Sequence, residues 1–412
     1  MKERKKLSLP TWIFISLALG IVVGICFMGN AAIVDTYIKP LGTIFLNLVK
    51  FIVVPVVLFS IISGVISMKD IKKVGSIGIK TVIFYLCTTA CAIMVGLFFA
   101  NLFKGSFTVL ETSNLAYEVK GTTSLSDTII GIFPSNIAAP FVSANMLQII
   151  VIALFFGFGI ILAGEKGKPA AALVESLNDV SMKIMAFIIK LSPIGVFALI
   201  APVVATNGPQ ILGSLAKVLL VAYLCYIIHV VVVYSSTVKA IGGLSPMKFF
   251  KGMMPSMMFA FSSASSVGTL PLNLECCQKL GAKKDIASFV LPLGATINMD
   301  GTAIYQGVCA VFIATCFGIS LTPSQMLTIV LTGTLASIGT AGVPGAGMIM
   351  LSMVLQSVGL PIEGIALVAG VDRIFDMGRT VVNITGDAAC SIVVSNLETK
   401  KEEKMDTAPA AV

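Results

Sequence analysis

The chain alternates between long hydrophobic runs and short polar connections. A helix needs about 20 residues to cross the hydrocarbon of a bilayer, and every run in the first half is long enough. These runs fall at residues 9–29, 41–68, 75–103, 127–163, 170–206 and 210–243. The pattern predicts an all-α, multi-pass membrane protein. Gly131, Pro134 and Pro140 further predict that the fourth run is in pieces.

Two later runs, 246–278 and 321–357, are each interrupted near the middle by small residues. The first interruption, Ser262–Pro271, is rich in Ser, and the second, Ser337–Gly347, is rich in Gly. Non-helical backbone at membrane depth is tolerated only where protein or a cavity shelters its polar groups. Each interrupted run is followed by a run with intramembrane polar residues. This arrangement is typical of a transporter with re-entrant hairpins and a binding site at the membrane midplane.

Two soluble-enzyme interpretations of these interruptions lack their necessary partners. A phosphate-binding loop at Gly342–Gly347 would need a Gly-Lys-Ser/Thr ending and a preceding strand. A nucleophilic serine in Ser262–Pro271 would need a His or Lys base nearby, and that segment contains none. A helix-breaking role fits both segments better.

Composition supports the membrane interpretation. Of 412 residues, 57% are hydrophobic and 12% are charged, against about 25% charged in a soluble domain. The net charge of +8 is spread over short connections, which favours a topology signal over a nucleic-acid surface. The basic connections are Met1–Lys6, Lys69–Lys73, Glu165–Lys168, Lys239–Lys251, Lys279–Lys284 and Lys400–Lys404. The positive-inside rule places them, and both termini, on the cytoplasmic side.

The remaining composition narrows the chemistry. Nine cysteines lie mostly in apolar segments without zinc or thioredoxin spacing, so they are interpreted as small hydrophobic residues. His229 is the only histidine, which argues against a His-based metal site or catalytic triad, and we interpret it as a packing residue. The first run follows a basic start but lacks a clear cleavage site, so it is predicted to be a retained helix. The tail at 400–412 looks too short and polar to fold.

The last hydrophobic run, 362–396, carries seven polar side chains. At about 100° per residue they share one helical arc of about 120°. They are Asp372, Arg373, Asp376, Arg379, Thr380, Asn383 and Asp387. Each charge inside a span costs about 2.5–3.5 kcal/mol on insertion scales. A buried structural salt-bridge ladder is the alternative, but the excess of acid and the uncharged hydrogen-bonding groups favour a binding site.

The preceding run contains Asn298-Met299-Asp300-Gly301-Thr302. Asn298 and Asp300 would be about 200° apart on a regular helix. Gly301 therefore predicts local unwinding, which would free carbonyl oxygens as well as side chains. Hard cations prefer such oxygen ligands. Across both runs, four Asp face two Arg, and protons or bound cations must offset the excess.

Three segments together resemble a known family: Asn298–Thr302, Ser337–Gly347 and Asp376–Asn383. They are similar to the dicarboxylate/amino acid:cation symporters, above all the prokaryotic sodium-coupled aspartate/glutamate transporters, including archaeal aspartate transporters. The resemblance covers essentially the whole chain. It implies eight transmembrane helices, two re-entrant hairpins and a homotrimer in the inner (cell) membrane of a prokaryote, among lipids and without a nucleic-acid partner.

The resemblance also implies a substrate site. Arg379 would pair with the side-chain carboxylate of an acidic amino acid, and Asp376 would receive its α-amino group. Thr380 and Asn383 would add hydrogen bonds, and residues at the hairpin tips would hold the α-carboxylate. The full implied set is Arg379, Asp376, Thr380, Asn383, Thr302, Ser266, Val343 and Gly347.

Three coupled sodium ions are implied as well. The first would be bound by Asp387 and carbonyls of Gly294, Asn298 and Asn383. The second would be bound by Asp300, Asn298, Tyr85, Thr88 and Thr89. The third would be bound by carbonyls of Thr296, Ser337, Ile338 and Thr340, close to the Met299 sulfur.

The implied organisation separates a trimerising scaffold from a mobile transport domain that moves as an elevator, with the hairpin at 321–357 as the external gate. The scaffold would be residues 1–74 (helices 1 and 2) and 127–207 (helices 4 and 5). The transport domain would be residues 75–104 (helix 3) and 208–398, and residues 399–412 would form a cytoplasmic tail.

Substrate class follows from two positions. Neutral amino-acid members lack the arginine of Arg379, and C4-dicarboxylate members lack the acid of Asp376. Relatives often carry an arginine at the positions of Ala264 or Met377. This chain has an arginine at position 373 instead, and the role of Arg373 stays open.

The alternatives to a sodium-coupled symporter of acidic amino acids are a proton-coupled symporter, a C4-dicarboxylate symporter and an anion channel. The choice between aspartate and glutamate also stays open. An intramembrane enzyme would need a nucleophile–base pair, and none is visible.

Overall fold

The computed structural model of the chain describes residues 9–67, 76–107, 130–131, 133–143, 145–208, 210–337 and 346–406. Every regular element within these ranges is helical, as the hydrophobic pattern predicts. Ile338, Thr340 and Val343 lie outside the described residues, so their implied roles stay predictions.

Eighteen helices make up the described fold. In chain order they are α1 (Leu9–Cys26), α2 (Ala31–Tyr37), α3 (Lys39–Ser67), α4 (Ser76–Phe103), α5 (Ala139–Val142), α6 (Met146–Leu162), α7 (Lys168–Lys190), α8 (Ser192–Asn207), α9 (Gln210–Ile228), α10 (Ser235–Ala240), α11 (Pro246–Ser263), α12 (Ser266–Lys279), α13 (Lys284–Ile297), α14 (Asp300–Cys316), α15 (Pro323–Ala336), α16 (Ala346–Ser357), α17 (Ile365–Ala369) and α18 (Asp372–Asp406). A π-helical segment, His229–Tyr234, joins α9 to α10.

Several of these helices have the length and apolar character of membrane spans. Within the described ranges these are Ser76–Ser106, Gly213–Ala240, Lys284–Cys316 and Asp372–Glu403. A fifth span results if α7 and α8, bent by 52° at their junction, are counted together. The chain is thus an integral membrane protein, while the number of eight spans stays a prediction.

The helices pack in two groups. In the first group α1 packs along α8, and α3 packs against α6, α7 and α8. In the second group α14 packs against α4, and α11, α13 and α14 all pack against α18. The charged helix α18 therefore lies at the centre of the second group, packed against both helices of the first interrupted run and against α13 and α14 on either side of the Asn298 break.

The first hairpin, α11 and α12, breaks at the predicted serine run. Its tip contains Ala264 in the left-handed region, with φ of 50°, which is the one positive φ of a non-glycine residue within the described ranges. The Ser265 side chain then accepts a hydrogen bond of 3.0 Å from the Gly268 N–H and begins α12. The second hairpin, α15 and α16, is likewise two helices, although residues 338–345 lie outside the described ranges.

The helix break between α13 and α14 is shorter than predicted. Only Asn298 and Met299 leave the helix, with ψ of 103° at Asn298 and φ of −123° at Met299. The expected unwinding through Gly301 and Thr302 is wrong, because both residues are helical in α14. Gly301 instead allows close packing: a Cβ there would collide with the backbone of Arg379.

Other run boundaries also changed. The fourth run is in pieces as predicted, since residues 133–138 are not helical and α5 and α6 are separate. The last run starts as α17, breaks before α18, and extends further than expected. The prediction that residues 400–412 do not fold is wrong for 400–406, which continue α18, where Glu402 pairs with Lys283.

Candidate functional site

The predicted polar face of α18 points into the protein. Six of its seven side chains are buried, and Arg373 is partly buried. The helix begins at Asp372, which therefore lies in the first turn, where the helix dipole interacts favourably with a negative charge. A regular helix through 372–406 confirms the angular prediction, because the whole face lies on one unbroken element.

Arg379 is the centre of this face and is only 2% exposed. Its Nε donates to Asp376 Oδ1 at 2.8 Å, and its Nη1 and Nη2 donate to the two carboxylate oxygens of Asp372 at 3.1 and 3.4 Å. The guanidinium carbon lies 4.9 Å from the centre of the Tyr305 ring, within cation–π range. Tyr305 is thus a functional candidate that the sequence had not distinguished, and Asp372, a member of the predicted face without an assigned role, contacts Arg379.

The tips of the two hairpins supply the next predicted site residues. The backbone of Gly347, in α16 of the second hairpin, lies so close to the guanidinium that any side chain there would collide with it. Gly347 therefore lies next to Arg379, while its place in the substrate site stays a prediction. Ser266, at the first tip, is buried as the first residue of α12, while its neighbour Ser265 supplies the helix cap.

A first oxygen cluster surrounds Asp387. Asn298 Nδ2 donates to Asp387 Oδ1 and to the Asn383 carbonyl, both at 2.9 Å. Gly294 leaves space for this approach, since a Cβ there would meet both Asp387 and the Tyr85 hydroxyl. The Asn298 Oδ1 atom is buried without a hydrogen-bond partner. All residues of the first predicted sodium site are thus brought together, around an unsatisfied acceptor.

A second cluster surrounds Asp300. Thr89 Oγ1 donates to its Oδ1 at 2.6 Å, and Tyr234 donates its hydroxyl to Oδ2 at 2.7 Å. His229 Nε2 lies 3.2 Å from the same Oδ2. His229 therefore contacts a site residue, and its interpretation as a packing residue alone is wrong. The π-helical segment brings residues 229 and 234 to one side, as π-helical turns at functional sites often do.

The remaining members of the second predicted site are placed differently. Tyr85 donates its hydroxyl to the Val290 carbonyl at 3.1 Å and lies beside Gly294, nearer the Asp387 cluster than expected. Thr88 is buried and donates to the Tyr85 carbonyl at 3.2 Å. The hydrogen bonds of the Asn298 amide go to the Asp387 cluster.

The two clusters adjoin at Gly386. A Cβ at this position would lie about 2.5 Å from the Tyr234 hydroxyl and 2.6 Å from Asn298 Nδ2. Tyr234 belongs to the Asp300 cluster and Asn298 to the Asp387 cluster. Gly386 therefore permits a close approach of both clusters that any side chain would prevent.

Met299 connects the break to the substrate face. The Asn383 side-chain amide makes two contacts: its Nδ2 donates to the Met299 sulfur at 3.4 Å, and its Oδ1 accepts from the Gly301 N–H at 2.8 Å. Thr302 donates to the same sulfur at 3.8 Å. Of the third predicted ion site, Thr296 and Ser337 make only local bonds, to the carbonyls of residues 293 and 334.

The charges divide unevenly between these clusters. Asp372 and Asp376 contact Arg379, whereas within the described ranges neither Asp300 nor Asp387 forms an ion pair with Lys or Arg. Asp300 contacts the hydroxyls of Thr89 and Tyr234 and the His229 Nε2, and Asp387 contacts the Asn298 amide. A buried carboxylate without a cationic partner is costly, so this part of the site is suited to a bound cation.

Comparison with known proteins gives one family. The sodium:dicarboxylate symporter family matches residues 9–397. A "Proton/sodium-glutamate symport protein" of Bacillus subtilis (strain 168) is 38% identical over 405 residues, which is 96% of this chain and 94% of the relative. A "Proton/glutamate-aspartate symporter" of Escherichia coli (strain K12) is 35% identical, over 97% of this chain and 95% of the relative. A "C4-dicarboxylate transport protein" of Bacillus subtilis (strain 168) is 31% identical, over 96% and 95%.

Proposed function

Because the chain belongs to the sodium:dicarboxylate symporter family, we propose that it imports an acidic amino acid, aspartate or glutamate, together with sodium ions. The family and its relatives are transporters, so the chain is a transporter and not an enzyme. Substrate, coupling ion and mechanism form the proposal.

One observation carries this proposal: the separation of paired and unpaired acids. Arg379 contacts Asp372 and Asp376, while Asp300 contacts two hydroxyls and His229, and Asp387 contacts the Asn298 amide, with no Lys or Arg paired to either acid within the described residues. The paired region offers both charges that an acidic α-amino acid needs, and the unpaired region offers carboxylates that need cations. Loading sodium there neutralises the buried acids.

Arg379 and Asp376 divide the recognition of substrate. A guanidinium has five N–H donors, and the bonds to Asp372 and Asp376 occupy three of them. Two donors are thus left for the side-chain carboxylate of the substrate. Asp376 Oδ2 receives the α-amino group. Thr380 and Asn383 lie nearby on α18, and Thr302 lies on the neighbouring helix α14.

The Asp387 cluster fits sodium after one side-chain movement. The Asn298 amide now directs its Nδ2 to Asp387 Oδ1 and the Asn383 carbonyl, while its Oδ1 is unsatisfied. Rotating this amide by half a turn would add a third oxygen to the other two. Hard cations favour such a set. The Asp300 cluster, with Thr89, is the second site; the third, with Ile338 and Thr340, extends beyond the described residues.

The coupling mechanism is proposed from the arrangement of elements. The two packing groups support the division into a scaffold and a transport domain that moves as an elevator, in a homotrimer. Gly347 places the second hairpin against Arg379, which supports its role as a gate over the substrate. Sodium binding would favour closure of that hairpin, so that only an empty or fully loaded transport domain crosses the membrane.

Two other coupling or substrate choices have specific support. The names of two relatives include proton coupling, which makes a proton-coupled glutamate/aspartate symporter the second candidate. A C4-dicarboxylate is favoured by the third relative, but such a substrate has no amino group to pair with Asp376. Aspartate and glutamate differ by one methylene, which contributes only about 1–3 kcal/mol to discrimination in a pocket.

Binding measured at increasing sodium concentration tests the proposal. Purified protein is titrated with aspartate, glutamate, serine and succinate at fixed pH, each from zero to saturating NaCl, with choline chloride keeping ionic strength constant. The proposal predicts tight, sodium-dependent binding of aspartate or glutamate and weak binding of serine and succinate. Binding of aspartate that does not change with sodium, or stronger binding of succinate, would contradict it.

A further inference from the structure

Arg373 is the member of the polar face that neither the substrate nor the sodium role uses. Its Nη2 donates to the Ser263 carbonyl at 3.2 Å, and its Nη1 lies 3.7 Å from Asp376 Oδ2. The side chain is 15% exposed. One guanidinium thus reaches from the N-terminal turn of α18 to the tip of the first hairpin, and contacts the proposed ammonium-binding acid on the way.

The contact with Ser263 has a physical reason that lies outside α18. Ser263 ends α11, and the last carbonyls of a helix have no intrahelical partner and carry partial negative charge. An arginine that donates to such a carbonyl stabilises that helix end. In its own helix, however, Arg373 occupies the first turn, where a cation is unfavourable. The position of Arg373 therefore favours its contacts with the first hairpin and with Asp376, and it does not favour the interaction with the dipole of α18.

The tip that Arg373 contacts is also strained. Ala264 follows Ser263 directly in the left-handed region, which is disfavoured for a residue with a Cβ, and it is only 1% exposed. A strained and buried turn persists only where neighbouring contacts hold it. The Arg373 bond to the Ser263 carbonyl is one such contact from outside the hairpin.

We propose that Arg373 is a positioning residue that fastens the tip of the first hairpin to Asp376 and so keeps this hairpin closed over the empty site. The inference rests on the proposed function for the meaning of Asp376, although the contact itself needs no substrate. Arg373 and the substrate ammonium group face the same Asp376 oxygen. When substrate leaves, Arg373 neutralises that acid, so Asp372, Arg373, Asp376 and Arg379 together carry no net charge in the empty protein.

The test measures opening of the tip with a thiol probe. In an Ala264→Cys background, purified protein in detergent without substrate is treated with a small maleimide, and modification at residue 264 is followed by peptide mass spectrometry. Peptide-level detection separates residue 264 from the native thiols, of which Cys26 and Cys87 are exposed. Arg373→Gln should raise the labelling rate about tenfold, the effect of losing one charged hydrogen bond.

Two variants make the result specific. Arg373→Lys keeps the charge but cannot reach both partners with one donor fork, so its labelling rate should fall between those of the parent and Arg373→Gln. Lys279→Met removes an exposed cation that pairs with Glu275 on the same hairpin and should leave the rate unchanged. An unchanged rate in Arg373→Gln, or an equal rise in Lys279→Met, would overturn the proposal.

The labelling experiment is separable from transport. Sodium-dependent aspartate binding by the Ala264→Cys parent tests the proposed function, whereas the difference in labelling tests Arg373. If Arg373→Gln does not give folded protein, the comparison uses Arg373→Lys, for which a rate equal to that of the parent contradicts the proposal.

Discussion

Arg379 is a single buried side chain on which several contacts of the site depend. Asp372, Asp376 and the Tyr305 ring all contact its guanidinium. Removing one partner of a buried charged pair leaves the other without compensation, which typically costs about 3–5 kcal/mol. Substitution of Arg379 is thus expected to affect both stability and substrate choice, and the two effects need separate measurement.

We expect Arg379→Cys to abolish binding of aspartate and glutamate and to permit a neutral amino acid such as serine. The double variant Asp372→Asn with Arg379→Cys removes one uncompensated acid and should recover part of the lost thermal stability without recovering acidic substrates. Binding isotherms and thermal unfolding of both proteins check this. Retained glutamate binding in either protein would exclude Arg379 as the carboxylate partner.

Asp387→Asn is expected to raise the sodium concentration needed for aspartate binding by about tenfold or more, because metal sites lose that much affinity even through supporting residues. The protein should still bind aspartate at saturating sodium, since Arg379 and Asp376 are unchanged. Asp35→Asn, at an exposed pair with Lys39, is the matched control and should leave the sodium dependence as in the parent. Equal sodium dependence in Asp387→Asn would remove Asp387 from the ion site.

At the scale of elements, the two oxygen clusters depend on three helices that approach closely. The π-helical segment supplies Tyr234, the break before α14 supplies Asn298, and α18 passes both at Gly386. This contact between elements places the Asp300 and Asp387 clusters side by side, and we expect a displacement at one to affect the other.

Gly386→Ala tests this approach, because the new methyl group must displace the Tyr234 hydroxyl and the Asn298 amide. We expect about a tenfold loss of apparent sodium affinity with a smaller loss of stability. Gly213→Ala, whose Cβ would meet nothing within 4 Å, is the control and should stabilise its helix by about 1 kcal/mol. Normal sodium affinity in Gly386→Ala would show that the two clusters do not need this approach.

The sequence predicted elements better than their contacts. The polar face of α18 and the break near Asn298 follow from helical angles and were correct in kind. The prediction that Gly301 unwinds the helix was wrong. A glycine can allow either unwinding or close packing, and the sequence alone does not distinguish the two. His229 and Asp300 are 71 positions apart in the sequence and meet because of a π-helical turn. The apolar residues 230–233 give no sequence pattern that predicts such a turn.

The whole molecule combines a polar interior with an apolar exterior. Side chains such as Phe98, Leu162 and Leu220 are more than half exposed, as expected for surfaces that meet lipid or partner subunits. The interior of the second packing group holds the buried charges instead. Such an arrangement suits a transport domain that carries its site across the membrane within a stationary scaffold.

A trimeric assembly is the prediction at this scale. Native mass spectrometry of protein released from detergent should give three chains per particle, because the exposed apolar faces of the first packing group require partners as well as lipid. Particles of one chain under mild conditions would contradict the assembly, while leaving the substrate site untouched.

Sodium-driven uptake is the most direct test of the central claim. Proteoliposomes containing the purified chain are given labelled aspartate with an inward NaCl gradient, and the same measurement is repeated with choline or K⁺ in place of Na⁺ at fixed pH on both sides. The account predicts accumulation above equilibrium with Na⁺ and none with either replacement. Undiminished accumulation after Na⁺ is replaced would contradict it.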